Sequence, residues 1–182
     1  MKKILCVIDC QNDFITGALR NEEAIKKVLN IAKKIRNFNG DAIYVTQDTH
    51  FDNYLETKEG VSLPVEHCIL GSEGWDIEPN VKAALNDAAL RNINVFCVQK
   101  HTFGSNDMVQ SIVMRFGREE LNIEIVGFCT DICVITNALL LKTTFYNHAD
   151  IFVDASCCAG VTTETHEAAL KTMKMCQINI ID

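Results

Sequence analysis

The chain has 182 residues, 48% of them hydrophobic and only 2 prolines, which suits one domain with a sizeable buried core and no long linker. A formal net charge of -7 leaves no basic footprint for a nucleic-acid backbone, and no Lys/Arg stripe marks a membrane surface, so a small-molecule partner is the class that remains. The nine cysteines do not argue for a disulfide scaffold, which is a device of short secreted domains with weak cores. Without a C-x-x-C pair, neither a thioredoxin-like redox motif nor a zinc ribbon is supported, and reduced thiols are expected.

In chain order, "MKKILCVIDCQNDF" begins like a signal peptide, but Asp9 ends the apolar run before it reaches secretory length. No later stretch approaches transmembrane length either, so a cytoplasmic protein is expected. Six β-like runs recur at 3–9, 41–47, 93–99, 122–127, 150–155 and 177–182, most of them continuously apolar, as strands covered on both faces are. Helical patterns at 21–38, 80–91, 106–116, 131–146 and 162–175 lie between them. This alternation predicts a three-layer α/β domain with a parallel sheet. Residues 48–79 form a long connection without a clear period, and loops of that length are usually functional.

Ligands of open α/β sheets bind beyond the carboxyl ends of the strands, near the point where strand order reverses. Asp9 ends the first strand, Asp48 and His50 follow the second, Lys100 follows the third, and Cys133 follows the fourth by a short turn. The first strand leads into "DCQNDFITG" rather than a Gly-rich turn, and with no G-x-G and no Walker loop in the chain a dinucleotide or nucleotide site is poorly supported.

Thr130 or Asp131 is positioned to cap the helix, leaving Cys133 in its first turn, where unpaired N–H groups favour a thiolate and can hold an oxyanion. The plainer reading is a core cysteine. A carboxylate closing a buried strand, as Asp9 does, has its pKa raised towards values useful for proton transfer, although a capping or turn role would also account for it. Lys100, one strand away, can pair with Asp9 or be an ordinary surface lysine. Asp48 and His50 project to one side of an extended chain, and His67 adds a third ligand from the far side of the loop. One carboxylate and two imidazoles leave positions open for water or substrate, as in a catalytic centre for zinc, iron or manganese. Glu59 or Glu56 could supply a fourth oxygen, and solvated loop histidines are the bland alternative.

Taken together, these residues resemble the isochorismatase-like cysteine hydrolase superfamily, and within it most resemble the nicotinamidases, over nearly the whole chain. "VIDCQNDFITGAL" is similar to the first strand and acid motif, "DTH" with "LPVEHCILGSEGW" to the metal segment, "QKHTFGS" to the lysine motif, and "GFCTDICVITNAL" to the nucleophile motif. The resemblance implies a Rossmann-like three-layer αβα fold with a six-stranded, mainly parallel sheet. It implies a single domain over 1–182 with a metal-binding loop at about 48–79. It also implies a triad of Asp9, Lys100 and Cys133, and one divalent metal on Asp48, His50 and His67, zinc before iron or manganese, with Glu59 the better match for a fourth ligand. A non-proline cis peptide at Phe128–Cys129 would aim the N–H of Cys129, with that of Cys133, at the oxyanion, and Phe14 would lie against a pyridine ring. A homo-oligomer is expected.

The implied reaction is hydrolysis of nicotinamide to nicotinate and ammonia through a thioester on Cys133. Three departures touch the ring pocket: Leu63 in place of a tryptophan, two residues rather than one between Pro64 and His67, and Ala18 for a common glycine. Another small-amide, ureido or carbamoyl hydrolase of the same superfamily, and a non-catalytic metal- or ligand-binding module, are the competing readings.

Overall fold

The computed structural model describes residues 1–117 and 119–182. Six strands, β1 (Lys2–Ile8), β2 (Ala42–Asp48), β3 (Asn94–Lys100), β4 (Leu121–Phe128), β5 (Ala149–Ala159) and β6 (Asn179–Ile181), form one sheet in the order β3-β2-β1-β4-β5-β6. Every neighbouring pair is parallel. From the central β1 the chain fills one half of the sheet through β3 and then crosses to β4, so strand order reverses between β1 and β4.

Alternating residues of β1 feed two cores, which is why its sequence is continuously apolar. Ile4, Cys6 and Ile8 pack with residues of α4 (Asn106–Phe116), α5 (Ile135–Phe145) and α6 (Thr163–Met175). Leu5 and Val7 pack on the other face with α1 (Glu22–Asn37) and α3 (Pro79–Leu90). This is the expected αβα sandwich. In α1, Ala24, Val28, Ile31, Ala32 and Ile35 form one buried stripe, and the Asn21 side chain caps the amides of Glu23 and Ala24. A reciprocal Thr162–Thr165 capping box starts α6.

Several boundaries differ from the sequence expectation. The helix expected over 131–146 opens as a π turn, Thr130–Val134, before α5 begins. The strand expected to end at 155 continues to Ala159 through a register shift against Ile125 and Gly127. Strand β3 is an edge strand with Cys97 exposed, so its apolar run is not covered on both faces. The 48–79 connection carries a 3-10 turn, Tyr54–Glu56, and the short α2 (Lys58–Ser62). Among the described residues, no helix is long and apolar enough to cross a membrane.

At the reversal point β4 passes very close to β1. Gly127 has φ +123°, and a Cβ there would lie 2.0 Å from the Ile8 carbonyl oxygen, so only glycine fits.

Candidate active site

Asp9 follows β1 directly with φ +47°, a left-handed conformation uncommon outside glycine. Its Oδ1 accepts a hydrogen bond from Thr46 Oγ1 at 2.7 Å, and its Oδ2 lies 2.8 Å from Lys100 Nζ. The same ammonium is 3.1 Å from Asp48 Oδ1 and 3.6 Å from Cys133 Sγ. All four residues are buried. Lys100 comes from two strands away rather than one, because β2 lies between β1 and β3. It is paired in register with Asp48, and its long side chain spans the intervening strand end.

This ammonium joins two carboxylates whose surroundings drive them apart. Burial raises the pKa of Asp9, and the nearby Asp48 charge adds to the rise; Lys100 and Thr46 oppose it without cancelling it. Burial acts on Asp48 in the same direction, but His50, His67 and Lys100 outweigh it and hold the Asp48 carboxyl far below the usual range. One carboxylate therefore stays ionised while its neighbour is tuned to carry a proton, the division that acid–base sites use. Burial works to lower the Lys100 pKa, yet Asp9, Cys133 and Asp48 keep it above its ordinary value. For Cys133, burial and then Asp9 push the thiol well up, and Lys100 opposes them. Burial and Asp9 thus favour the Cys133 thiol, against the thiolate that helix position alone would favour.

Neither expected cap is made. Thr130 Oγ1 pairs with His166 Nδ1 at 2.8 Å, and both Asp131 oxygens accept the Val161 amide at 3.1 Å. These bonds tie the turn that carries Cys133 to α6 and to the β5–α6 connection. Asn137, fully buried, donates to the Cys133 and Phe103 carbonyls and accepts from Ser105 N–H. The Phe128–Cys129 peptide is cis.

The second cluster comprises Asp48, His50, Glu59 and His67, whose ligand atoms all lie within 4.8 Å of one another. His50 Nε2 is 3.0 Å from Asp48 Oδ2 and 3.7 Å from Glu59 Oε1, and His67 Nε2 is 3.6 Å from Asp48 Oδ2. His67 Nδ1 points at the Val65 carbonyl at 2.8 Å. As a donor there, it leaves the Nε2 lone pair free for a cation, the arrangement typical of metal-binding imidazoles. Two nitrogens and two carboxylates within one small sphere suit zinc, iron or manganese. Glu59 joins the set from α2, and Glu56 does not.

Both clusters open on one cleft of about 820 Å³, whose walls include Phe14, Leu63, Phe103, Cys129, Ile132 and Cys133. The Phe14 ring meets the His67 ring edge-on at 5.7 Å. Some supporting residues escaped the reading of the sequence. Gln11 is fully buried, donates to the Asp48 and Trp75 carbonyls and accepts from Asp48 N–H. The Tyr54 ring meets His50 at a steep tilt and His67 edge-on, with centroids 4.6 and 5.0 Å apart. The one available hint was an amide two residues after a strand-closing acid.

Fold and site define a three-layer αβα protein with a buried thiol beside a candidate metal centre. The isochorismatase domain profile matches residues 3–182, and the chain belongs to the isochorismatase family. Its structural neighbours are nicotinamidases and pyrazinamidases. The nicotinamidase/pyrazinamidase from Bacillus subtilis aligns over 100% of both chains with TM-score 0.85 and 25% identity. The pyrazinamidase/nicotinamidase from Streptococcus mutans UA159 aligns over 98% of this chain and 99% of that one, with TM-score 0.80 and 26% identity. A pyrazinamidase of Pyrococcus horikoshii in complex with zinc covers 100% and 99%, with TM-score 0.77; at 22% identity that likeness bears on the fold alone. A search of curated proteins found no match.

Proposed function

We propose that this isochorismatase-family hydrolase is a metal-dependent cysteine amidase that converts nicotinamide and water to nicotinate and ammonia. The observation that carries the reading is the convergence of Asp9 and Cys133 on one Lys100 ammonium, in a cleft shared with a four-donor metal set. Asp9 takes the proton of the Cys133 thiol as its sulfur attacks the carboxamide carbon. The N–H groups of Cys129 and Cys133 receive the oxyanion, and Lys100 offsets the charge passing between Asp9 and sulfur. Asp9 returns its proton to the departing ammonia, leaving a thioester. It then takes a proton from water, whose oxygen attacks the same carbon. Collapse releases nicotinate and restores the thiol. A divalent ion held by Asp48, His50, Glu59 and His67 supplies a Lewis acid at the cleft wall, suited to a heteroaromatic nitrogen.

Leu63 keeps a second reading open. It lines the cleft as an aliphatic wall, so another small amide, ureido or carbamoyl substrate of the same chemistry is the alternative. Vinyl-ether cleavage needs neither the cysteine nor the metal set. Incubation with nicotinamide, pyrazinamide and ureido compounds, with ammonia measured with and without chelator, separates these readings. Ammonia is expected from the pyridine and pyrazine amides and is expected to be lost in Cys133→Ala, while Cys129→Ala retains turnover because Cys129 acts through its backbone. Near-normal turnover in Cys133→Ala would sink the mechanism. Binding without hydrolysis in the wild-type chain would leave a ligand-binding module.

A further inference from the structure

We propose that Asp13 is a positioning residue of the metal centre, its carboxylate fixing the backbone that presents His67; the proposal rests on the metal-dependent reading above. Asp13 is 9% exposed. Its two oxygens accept backbone amides from different segments: Oδ2 from Cys68 N–H at 2.7 Å and Oδ1 from Ala18 N–H at 2.8 Å. Its own N–H donates to the Gly74 carbonyl at 3.0 Å. A Cβ on Gly74 would fall 2.0 Å from Oδ2, and one on Gly17 would fall 2.3 Å from Oδ1. Both segments thus approach the carboxylate as closely as glycine permits.

Cys68 is the link to the metal. It directly follows His67, is fully buried, and has φ +47°, a conformation that a cysteine adopts only when its surroundings impose it. Two bonds impose it here: Cys68 N–H on Asp13, and His50 N–H on the Cys68 carbonyl at 2.9 Å. The His50 carbonyl in turn accepts the Leu70 amide at 2.9 Å. One carboxylate therefore fixes the turn that sets the spacing of two histidine ligands, in the way that groups behind metal ligands orient them. An asparagine cannot replace it, because its amide would turn a donor towards one of the two N–H groups.

The test is zinc affinity by competition with a chromophoric chelator, together with the thermal melt of the metal-free protein. Asp13→Asn is expected to weaken zinc binding by about 10–100-fold, the usual cost of losing such a partner, while the metal-free melt is retained. Cys68→Gly in the Asp13→Asn background is expected to recover part of the affinity, because glycine accepts positive φ without support. Zinc affinity in Asp13→Asn within threefold of wild type overturns the proposal, as does a double variant no tighter than the single. A double variant that still does not fold assigns Asp13 to the fold at large and overturns it too. A wild-type chain that binds no zinc removes the metal reading along with it; wild-type binding with an unaltered Asp13→Asn removes this proposal alone.

Discussion

Asp9 and Asp48 share one lysine, but imidazoles face only Asp48 and the Thr46 hydroxyl donates to Asp9. This difference has a consequence for pH. In the proposed mechanism Asp9 is a base, which requires it ionised, and burial raises its pKa. Activity should therefore fall on the acid side around a midpoint above the ordinary aspartate value of about 3.9. Thr46 donates to Asp9 Oδ1 and so favours the ionised form, which means Thr46→Val should move the acid limb of kcat/KM to higher pH. An unmoved limb, or one at the ordinary value, contradicts the assignment of Asp9 as base. The linkage has the same sign: the folded state holds the Asp9 proton above the pH at which the unfolded chain releases it, so this group's contribution to stability falls as pH rises through that window.

Asp9, Lys100, Cys133, Asp48, His50 and His67 were singled out from their type and their place at strand ends or in the long connection, and the structure brings them into two adjoining clusters. Gln11, Asp13 and Asn137 were not singled out. Each works by satisfying distant backbone groups, and nothing local separates such a residue from the polar residues common in any loop.

At the scale of elements, hydrophobic period located the strands and helices because one residue in two, or one stripe in four, must be buried wherever the element ends up packing. It misjudged the opening of the helix after β4 because Thr130 and Asp131, both good caps by type, are engaged by His166 and Val161 instead. The order of the strands is likewise a long-range property, which is why Lys100 proved to be two strands from Asp9. The close pass of β4 over β1 yields a prediction. Gly127→Ala must relieve both a positive φ and a Cβ only 2.0 Å from the Ile8 carbonyl oxygen. The backbone conformation alone is worth about 1–3 kcal/mol, so a loss of at least that size is expected in denaturant unfolding. A loss below about 0.5 kcal/mol, the scatter of neutral surface substitutions, would show that the two strands can separate without cost.

For the whole molecule, the four candidate metal donors bring together the end of β2, His50 and the 59–67 stretch of the long connection. A cation there binds the folded chain and has no comparable site in the unfolded one. Zinc at 100 times its dissociation constant should stabilise the protein by about 2.7 kcal/mol, seen as a rise in Tm that a chelator reverses. Metal-free protein should keep its sheet, because the strands and both cores contain no metal donor except Asp48. A Tm indifferent to zinc and chelator would remove the metal from the account.

Lys100 lies at the end of an edge strand whose sheet pairing is with β2, through the register Asn94–Lys100 on Ala42–Asp48. Slipping that strand by one residue would turn its side chains to the opposite face. Asp9 would then be left buried without its cation and Asp48 with its imidazoles alone, and removing one partner of a buried ion pair costs several kcal/mol. The ion cluster thus proofreads the sheet: a mispaired edge strand is penalised at the candidate site itself, so the charges proposed for the chemistry also discriminate against a chain folded in the wrong register.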